Sequence, residues 1–515
     1  MKKTAIKSVL AIALSGALLL AGCSKTEPAP QGAAPGAAES DKPIEISWLS
    51  FDFPEGDESY VQKWMEQKFN VKIKNMRVDR TNWKDQLNVR LVANELPDVW
   101  LLWGLADVRA YSQQGLLAEL PVDEIKKNMP SLAEFIDKNQ PDAWNDGLVN
   151  GKSYGIPITN LEGVIPLNPF YNQGWLKAAG YDQPPTTLQQ FEDVIYKFRN
   201  NDPDGNGKKD TYGLTAFGKA NIADSLQYVF GAFQTHPTYW VKDQKGELNY
   251  GMVTAQSREA FRYLNKWFKD GVLDPEFLTS DGKKEEFVNK RVGVSSDNWS
   301  NFRPSGKIGQ AAAKNGVTLV AGKALEGPYG PGKLAGWGLT GNYMGMGVDA
   351  GKDPKKRAKI YEILNSFYSD KESFLASQFG QEGVHYTMQN GVPTYTEAFK
   401  DNKKRISEGL GNYYGLLSRK SKAFEPFSFP AEELALREQL SQGVEVLYNV
   451  KFNINALQKY PDITNIEKEY FIKFITGEVD LDKGFDQFVE TWKKAGGEEI
   501  TAEVNATYKS LSAAK

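Results

Sequence analysis

The sequence predicts an α/β fold with a mostly parallel sheet, in at least two lobes. Three observations carry this. Strand and helix patterns alternate from Ile44 to Leu102 as β-α-β-α-β, the order that builds such a sheet. The chain has 515 residues, more than a single hydrophobic core serves. Cys23 is its only cysteine, so no disulfide frame exists and burial must supply the stability.

The chain opens Met1-Lys2-Lys3 with Lys7, runs apolar from Ser8 to Leu20 and closes Ala21-Gly22-Cys23. A positive start, a short apolar core and small residues before a cut site make residues 1–22 a secretory signal. The run is too short to span a bilayer comfortably. A thiol at the cut resembles the lipobox of bacterial lipoproteins. That resemblance implies that Cys23 is diacylated and begins the mature chain. Two or more acyl chains give lasting attachment, at about 0.8 kcal/mol per buried methylene. The alternative is an ordinary secreted protein with a chance cysteine. Residues 24–41, SKTEPAPQGAAPGAAESD, have almost no bulky apolar side chain and cannot offset their ordering entropy. Residues 23–41 therefore read as anchor and flexible tether, and the folded part starts near Lys42.

Removing residues 1–22 takes away three lysines and no acid. From 62 basic and 65 acidic residues this leaves 59 against 65, a net charge of −6. That balance excludes a nucleic-acid binder and a basic membrane-surface protein. Any membrane association must come from the lipid, and no later segment has the 18 or so consecutive apolar residues of a spanning helix.

Ile44-Glu45-Ile46-Ser47-Trp48-Leu49 alternates as a strand. Tyr60 to Phe69 is an amphipathic helix, and Val71-Lys72-Ile73 alternates again. Trp83 to Val92 returns to helical spacing, stopped by Leu96-Pro97, and Val99 to Leu102 is a buried-type strand. Asn150-Gly151 signals a hairpin. A second set of elements starts near Tyr171. Its helix from Arg258 to Lys269 puts Phe261, Leu264 and Phe268 on one face, with Gly271 ending it. Trp64, Trp267 and Trp492 sit on helical apolar faces as core. The tail from Ala431 is largely helical.

Four segments in order resemble the extracellular solute-binding proteins of ABC importers, the family that includes maltose-binding protein. They are Glu95-Leu96-Pro97-Asp98-Val99-Trp100 with Trp103 and Gly115–Leu120; Asn150–Pro157, like "GKxYGIP"; Tyr171–Leu176; and Phe287–Val294 with Asp297-Asn298-Trp299. One departure is Asn289-Lys290-Arg291, where the family carries Ser-Gly-Lys. The resemblance implies a two-lobed periplasmic-binding-protein type II fold with hinge crossovers and the ligand between the lobes. Lobe one would be residues 42–167 plus 335–395, and lobe two 168–334 plus 396–515.

Asp202-Pro203-Asp204-Gly205-Asn206-Gly207-Lys208-Lys209-Asp210 is the sharpest local motif. Oxygen side chains fall at every second residue, with Gly207 at the sixth place, as a calcium loop requires. Asp202, Asp204, Asn206 and Asp210 would supply side chains and Lys208 its carbonyl. The twelfth place is Gly213, so the bidentate Glu of a full EF-hand is missing. A similar loop with a structural ion occurs in oligosaccharide-binding members of the family. The plainer reading is a solvated acidic turn.

For the ligand, aromatic rings and carboxylates are the expected chemistry, since a sugar offers a flat C–H face and hydroxyls. Trp103 and Trp299 each follow a strand-like run, on the edge where open α/β sheets bind ligands. Each also resembles a sugar-stacking position of the family. Asp52, Glu162 and Asp297 are candidate acceptors for hydroxyls, and Trp337 a further ring near the return crossover. Core packing for the rings, and solvated surface for the acids, are the competing readings.

Three motifs are decoys. Gly151–Gly155 matches the hydrolase elbow around Ser153 but lies in a hairpin, not between a strand and a helix. Gly327–Lys333 approaches a P-loop, but Leu334 stands where Ser or Thr would bind magnesium. His236 and His385 form no metalloprotease pattern. The chain reads as a monomeric, lipid-tethered protein on the outer face of the cell membrane that captures carbohydrate, as oligosaccharide, for an ABC permease. An anchored polysaccharide-degrading enzyme and a binder of peptide or another solute remain open alternatives.

Overall fold

The computed structural model describes residues 42–216, 218–279, 285–449, 451 and 454–513. Cys23, the signal and the tether lie outside the described residues. In chain order the strands that matter here are β1 (Ile44–Leu49), β2 (Val71–Met76), β3 (Val99–Leu102), β4 (Ile156–Thr159), β5 (Pro169–Asn172), β6 (Tyr212–Leu214), β7 (Val292–Ser296), β8 (Leu319–Ala321), β9 (Leu334–Gly336), β10 (Thr340–Met346) and β11 (Val446–Tyr448).

Nine of them form two separate sheets, and β9 with β11 makes a third of two strands. The first has order β2-β1-β3-β10-β4, with β1 parallel to β2 and β3 and only β10 reversed. The second has order β8-β5-β7-β6, with β5 reversed. Period-2 alternation decides what each face buries. Ile46, Trp48, Val99 and Leu101 meet the helices Tyr60–Phe69 and Pro354–Ser369 on one side of the first sheet. Leu49, Trp100 and Leu102 meet Leu87, Val108 and Tyr111 on the other. In the second sheet Tyr171, Leu214 and Val294 pack against the helices Leu188–Asn200, Ala255–Lys269 and Ile463–Thr476. Phe170 faces the opposite way and stacks on Phe302 at 4.0 Å. Burying each such large apolar chain contributes about 1.5–3 kcal/mol. Gly293 keeps β7 close to its helix, because a Cβ there would meet a Phe198 ring carbon at 2.0 Å.

Local signals explain the ends. Ser59 accepts from the Gln62 N–H to start the helix at Tyr60, and Asn70 ends it in the left-handed region. Asn150 and Gly151 both take positive φ, 53° and 76°, in the turn pairing Leu148–Val149 with Lys152–Ser153. The helix expected from Arg258 begins three residues earlier, capped by Thr254, and buries Trp267 more deeply than Phe268. Lys290 holds a φ of 61° in the turn where the family's glycine is replaced.

The two sheets are joined by crossovers that touch. The segment after β4 and the segment between β9 and β10 exchange backbone bonds: Asn160 N–H to the Leu339 carbonyl at 2.5 Å, Gly338 to Gly163 at 2.8 Å, and Leu167 to Ala335 at 3.0 Å. Gly163 and Gly338 permit this, since a Cβ on Gly163 would stand 1.9 Å from the Gly338 oxygen. A third link is β11, paired parallel with β9. One expectation needs correction. Phe399, Leu410, Tyr413, Tyr414, Leu416 and Leu417, expected in lobe two, pack in the first sheet's core. Tyr413 fixes them there, donating its hydroxyl to the Trp48 carbonyl at 2.7 Å and accepting the Trp48 indole N–H at 2.9 Å. The chain therefore stays with the first sheet past Tyr395.

Candidate binding cleft

Both sheets turn the C-terminal ends of their parallel strands toward the crossovers, where open α/β sheets bind ligands. At the first edge, Phe51 follows β1 and Trp103 follows β3. Their rings lie 4.9 Å apart at 31°, and Trp83 adds a third ring 6.2 Å from Trp103. All three are half-buried. The Arg80 guanidinium lies over Phe51 and Trp103, at 4.9 and 5.3 Å. Asp52 takes a left-handed φ of 60° and accepts from Asn412 Nδ2 at 3.0 Å. Asn412 Oδ1 in turn accepts from Arg419 at 2.9 Å.

At the second edge, Asp297 follows β7 and accepts from Asn301 Nδ2 at 2.7 Å. Glu162, on the first crossover, accepts from Ser300 Oγ at 3.2 Å and so ties the hinge to this edge. Burial pushes the Lys420 ammonium below the usual lysine range, opposed by the Glu162 carboxylate nearby. Trp337 stands on the second crossover, 37 % exposed.

Trp299 does not offer the stacking face expected of it. It is 1 % exposed and packed among Ile165, Phe170 and Phe302. Phe429 lies 5.6 Å from its ring, and the Arg303 and Arg437 guanidiniums lie 5.9 and 5.8 Å from it. The residue opens a short helix, Trp299–Phe302, which turns the ring inward. Trp299 Nε1, Asn298 Nδ2 and Arg437 Nε are buried donors with no acceptor among the described residues. Water is the ordinary occupant of such a place.

Sequence reasoning missed a cavity of about 440 Å³ between the two bodies. Leu105, Asp146 and Tyr343 line it from the first body, Trp240, Tyr250 and Trp492 from the second. Burial pushes the Asp146 carboxyl up to about 6, although Thr340 Oγ1 donates to it at 2.6 Å and Lys451 lies close by. Lys451 Nζ donates to the Thr340 carbonyl. Burial also raises Glu467, which accepts from the Tyr250 hydroxyl and Trp492 Nε1, both at 2.8 Å. Nothing local marks Asp146, which reads as one more acid in a Trp-Asn-Asp-Gly turn.

In the loop 202–210, Asp202 accepts from the backbone N–H of Asn206 at 3.1 Å and of Gly207 at 2.8 Å. Asn206 Nδ2 bridges Asp204 and Asp210 at 2.8 and 3.2 Å, and Lys208 N–H donates to Asn206 Oδ1 at 2.7 Å. Burial and the Asp202 and Asp210 carboxylates raise the Asp204 carboxyl. Asp204 Oδ1 is buried without a partner. Among the described residues no group of three or more His, Cys, Asp or Glu is gathered closely enough to hold a metal ion. Yet crowded acids around an unpartnered oxygen, in a loop turned by Gly205 and Gly207 at positive φ, are a donor set that fits a hard cation.

The decoys resolve simply. Ser153 Oγ, buried in the hairpin, donates to the Gly155 carbonyl at 3.3 Å. His385 sits between the Tyr60 and Phe399 rings, and His236 stacks on Tyr239.

Two α/β bodies, three linking segments and facing strand ends define a two-lobed solute-binding protein of the periplasmic type II architecture. Residues 59–359 match the model of the bacterial extracellular solute-binding proteins, and the chain belongs to that family. Residues 452–512 match a second model, a domain of unknown function. Lipoprotein LipO of Bacillus subtilis is 28 % identical, over 96 % of this chain and 97 % of its own. The polygalacturonan/rhamnogalacturonan-binding protein YtcQ of the same organism is 24 % identical, over 97 % of both chains. Among solved structures, an EF-hand mutant of the ABC-transporter substrate-binding protein FusA of Streptococcus pneumoniae, in complex with fructo-nystose, superposes with a TM-score of 0.61 at 18 % identity. That match covers 92 % of this chain and all of the other. Among the described residues no helix is long and apolar enough to cross a membrane.

Proposed function

We propose that this chain captures oligosaccharide between its lobes and hands it to an ABC permease, held at the outer face of the cell membrane by lipid on Cys23. The observation that carries the reading is the ring cluster of Phe51, Trp83 and Trp103 at the cleft edge of the first sheet. A pyranose C–H face packs on such rings, while Asp52, Glu162, Asp297 and the open Trp337 supply hydroxyl acceptors and a further wall. Ligand bridging both edges favours the closed state, because only that state offers both walls, and the Gly163–Gly338 crossing is where the backbone turns. The names of YtcQ and of the FusA complex support the sugar class. The name of LipO and the Ala-Gly-Cys signal end support the anchor.

The protein works as a monomer. Lobe one comprises residues 42–167 and a return segment from 335 to beyond Leu417, and lobe two the remainder. Calcium in the loop, held by Asp202, Asp204, Asn206, Asp210 and the Lys208 carbonyl, acts as a fold-stabilising ion away from the cleft. The EF-hand in the FusA name supports this. Calorimetric titration with a panel of oligosaccharides tests the main reading. Saturable binding with the sugar recovered intact supports it, and hydrolysis of the bound sugar, or binding of peptides instead, overturns it.

A further inference from the structure

Of the thirteen arginines in the sequence, Arg80 alone has neither a hydrogen bond nor an ion pair among the described residues. Every other guanidinium reaches a carboxylate, a side-chain amide or a backbone carbonyl. Arg80 is exposed, its guanidinium lies over the Phe51 and Trp103 rings, and its five N–H groups have no acceptor among the described residues. Lys420, near Glu162 on the first crossover, is a further such cation. Its carbonyl is fixed at the end of β4 by Thr159 Oγ1 at 2.6 Å, its stem is half-buried, and its ammonium has no hydrogen-bonded or ion-paired partner among the described residues. The neighbouring acids are already engaged by neutral donors, Asp52 by Asn412 and Glu162 by Ser300.

A guanidinium fork left open over an aromatic floor matches a planar carboxylate. We propose that the captured oligosaccharide is acidic, a chain of uronate units whose carboxylates are received by Arg80 and Lys420 while a ring packs on the Trp103 cluster. This rests on the reading of the cleft as a carbohydrate site. The strand order gives the scale. Arg80 lies over the ends of β1 and β3, and Lys420 lies at β4, with β10 between. Two to three strand spacings of about 4.8 Å separate them, roughly 10–14 Å. One sugar ring does not reach across; an oligomer carrying a charge on each unit does.

The test is titration of the full mature protein with trigalacturonate, with the same trisaccharide after carboxyl reduction, and with monomeric galacturonate. The acid trimer is expected to bind at least about tenfold tighter than either of the others. That preference should shrink as salt rises from about 20 to 500 mM, because exposed charge pairs are screened. In Arg80→Gln and in Lys420→Met the acid-to-neutral preference is expected to collapse to within about twofold, with the melting curve showing a folded protein. Equal or tighter binding of the reduced trisaccharide overturns the acidic assignment while leaving the carbohydrate reading intact. Binding of neither trisaccharide overturns the uronate assignment and leaves the carbohydrate reading to the wider oligosaccharide panel. An acid preference that survives in both variants overturns the assignment to these two residues.

Discussion

Thr340 Oγ1 donates to the buried Asp146 carboxylate at 2.6 Å, on the seam where the first body meets Lys451 of the second. Burial outweighs that bond and the nearby ammonium, and sets the Asp146 carboxyl at about 6 against 3.8 for the free group. Below pH 3.8 folded and unfolded chains both hold the proton. Between 3.8 and about 6 only the folded chain holds it, so stability falls as pH rises through this window. The loss is at most about 3 kcal/mol, at 1.36 kcal/mol per unit. Asp146→Asn removes that slope but withdraws a counter-charge from Lys451, which offsets part of the gain at high pH. Urea denaturation from pH 4.5 to 7.5 should therefore show the wild type losing stability relative to the variant as pH rises. A constant gap across the range would exclude this role for Asp146.

Much of the architecture was legible because period-2 and period-3.6 patterns report burial directly. The strand at Ile44, the helix at Tyr60 and the hairpin at Asn150 formed where their residues said they would. What escaped was long-range. Nothing local in Leu410–Leu417 says which core it joins; the decision lies in Tyr413 meeting Trp48 across 365 residues of chain. Trp103 and Trp299 look alike in sequence, each just beyond a strand. A helix that starts on Trp299 itself turns its ring inward, whereas Trp103 stays half-exposed with Phe51. Asp146 and Arg80 carry no sequence signal, since their character depends on which partners the fold brings or withholds.

The two tryptophans make the contrast measurable. Trp103→Ala is expected to weaken oligosaccharide binding by at least about tenfold, about 1.4 kcal/mol, with a modest drop in melting temperature. Trp299→Ala empties a fully buried ring site and should cost about 3–5 kcal/mol of stability. Any affinity it loses should follow from the unfolded fraction. Titrations at a temperature where both variants are folded separate the effects. Normal affinity in Trp103→Ala would remove that residue from the site.

Beside Trp299, Arg437 and Glu425 form a buried ion pair, each side chain 4 % exposed, with one of their two bonds at 2.9 Å. Removing Arg437 leaves the buried Glu425 with only the half-exposed Lys422, at 2.8 Å, in a poorly solvated place. Arg437→Met alone should destabilise by about 3–5 kcal/mol. Pairing it with Glu425→Gln should restore at least half of that, because the desolvation cost of both ions disappears with their attraction. Chemical denaturation of the single and double variants measures the coupling. A double variant as unstable as Arg437→Met would show that packing around Trp299, not charge, dominates here.

The loop 202–210 gives a prediction that keeps ion and charge effects apart. Burial and the Asp202 and Asp210 carboxylates raise the Asp204 carboxyl, a cost that a bound cation would relieve, while the Asn206 amide reaches Asp204 and Asp210 and backbone N–H groups satisfy Asp202. Calcium at a hundred times its dissociation constant should add about 2.7 kcal/mol to the folded state. A chelator should therefore lower the melting temperature by a few degrees, and added calcium should restore it. Asp204→Asn removes a ligand and also relieves the repulsion. Its chelated form should melt no lower than chelated wild type, and calcium should no longer raise it. Magnesium, which demands a tighter octahedral shell, should substitute poorly. A melting temperature indifferent to chelator in the wild type would return the segment to a solvated acidic turn.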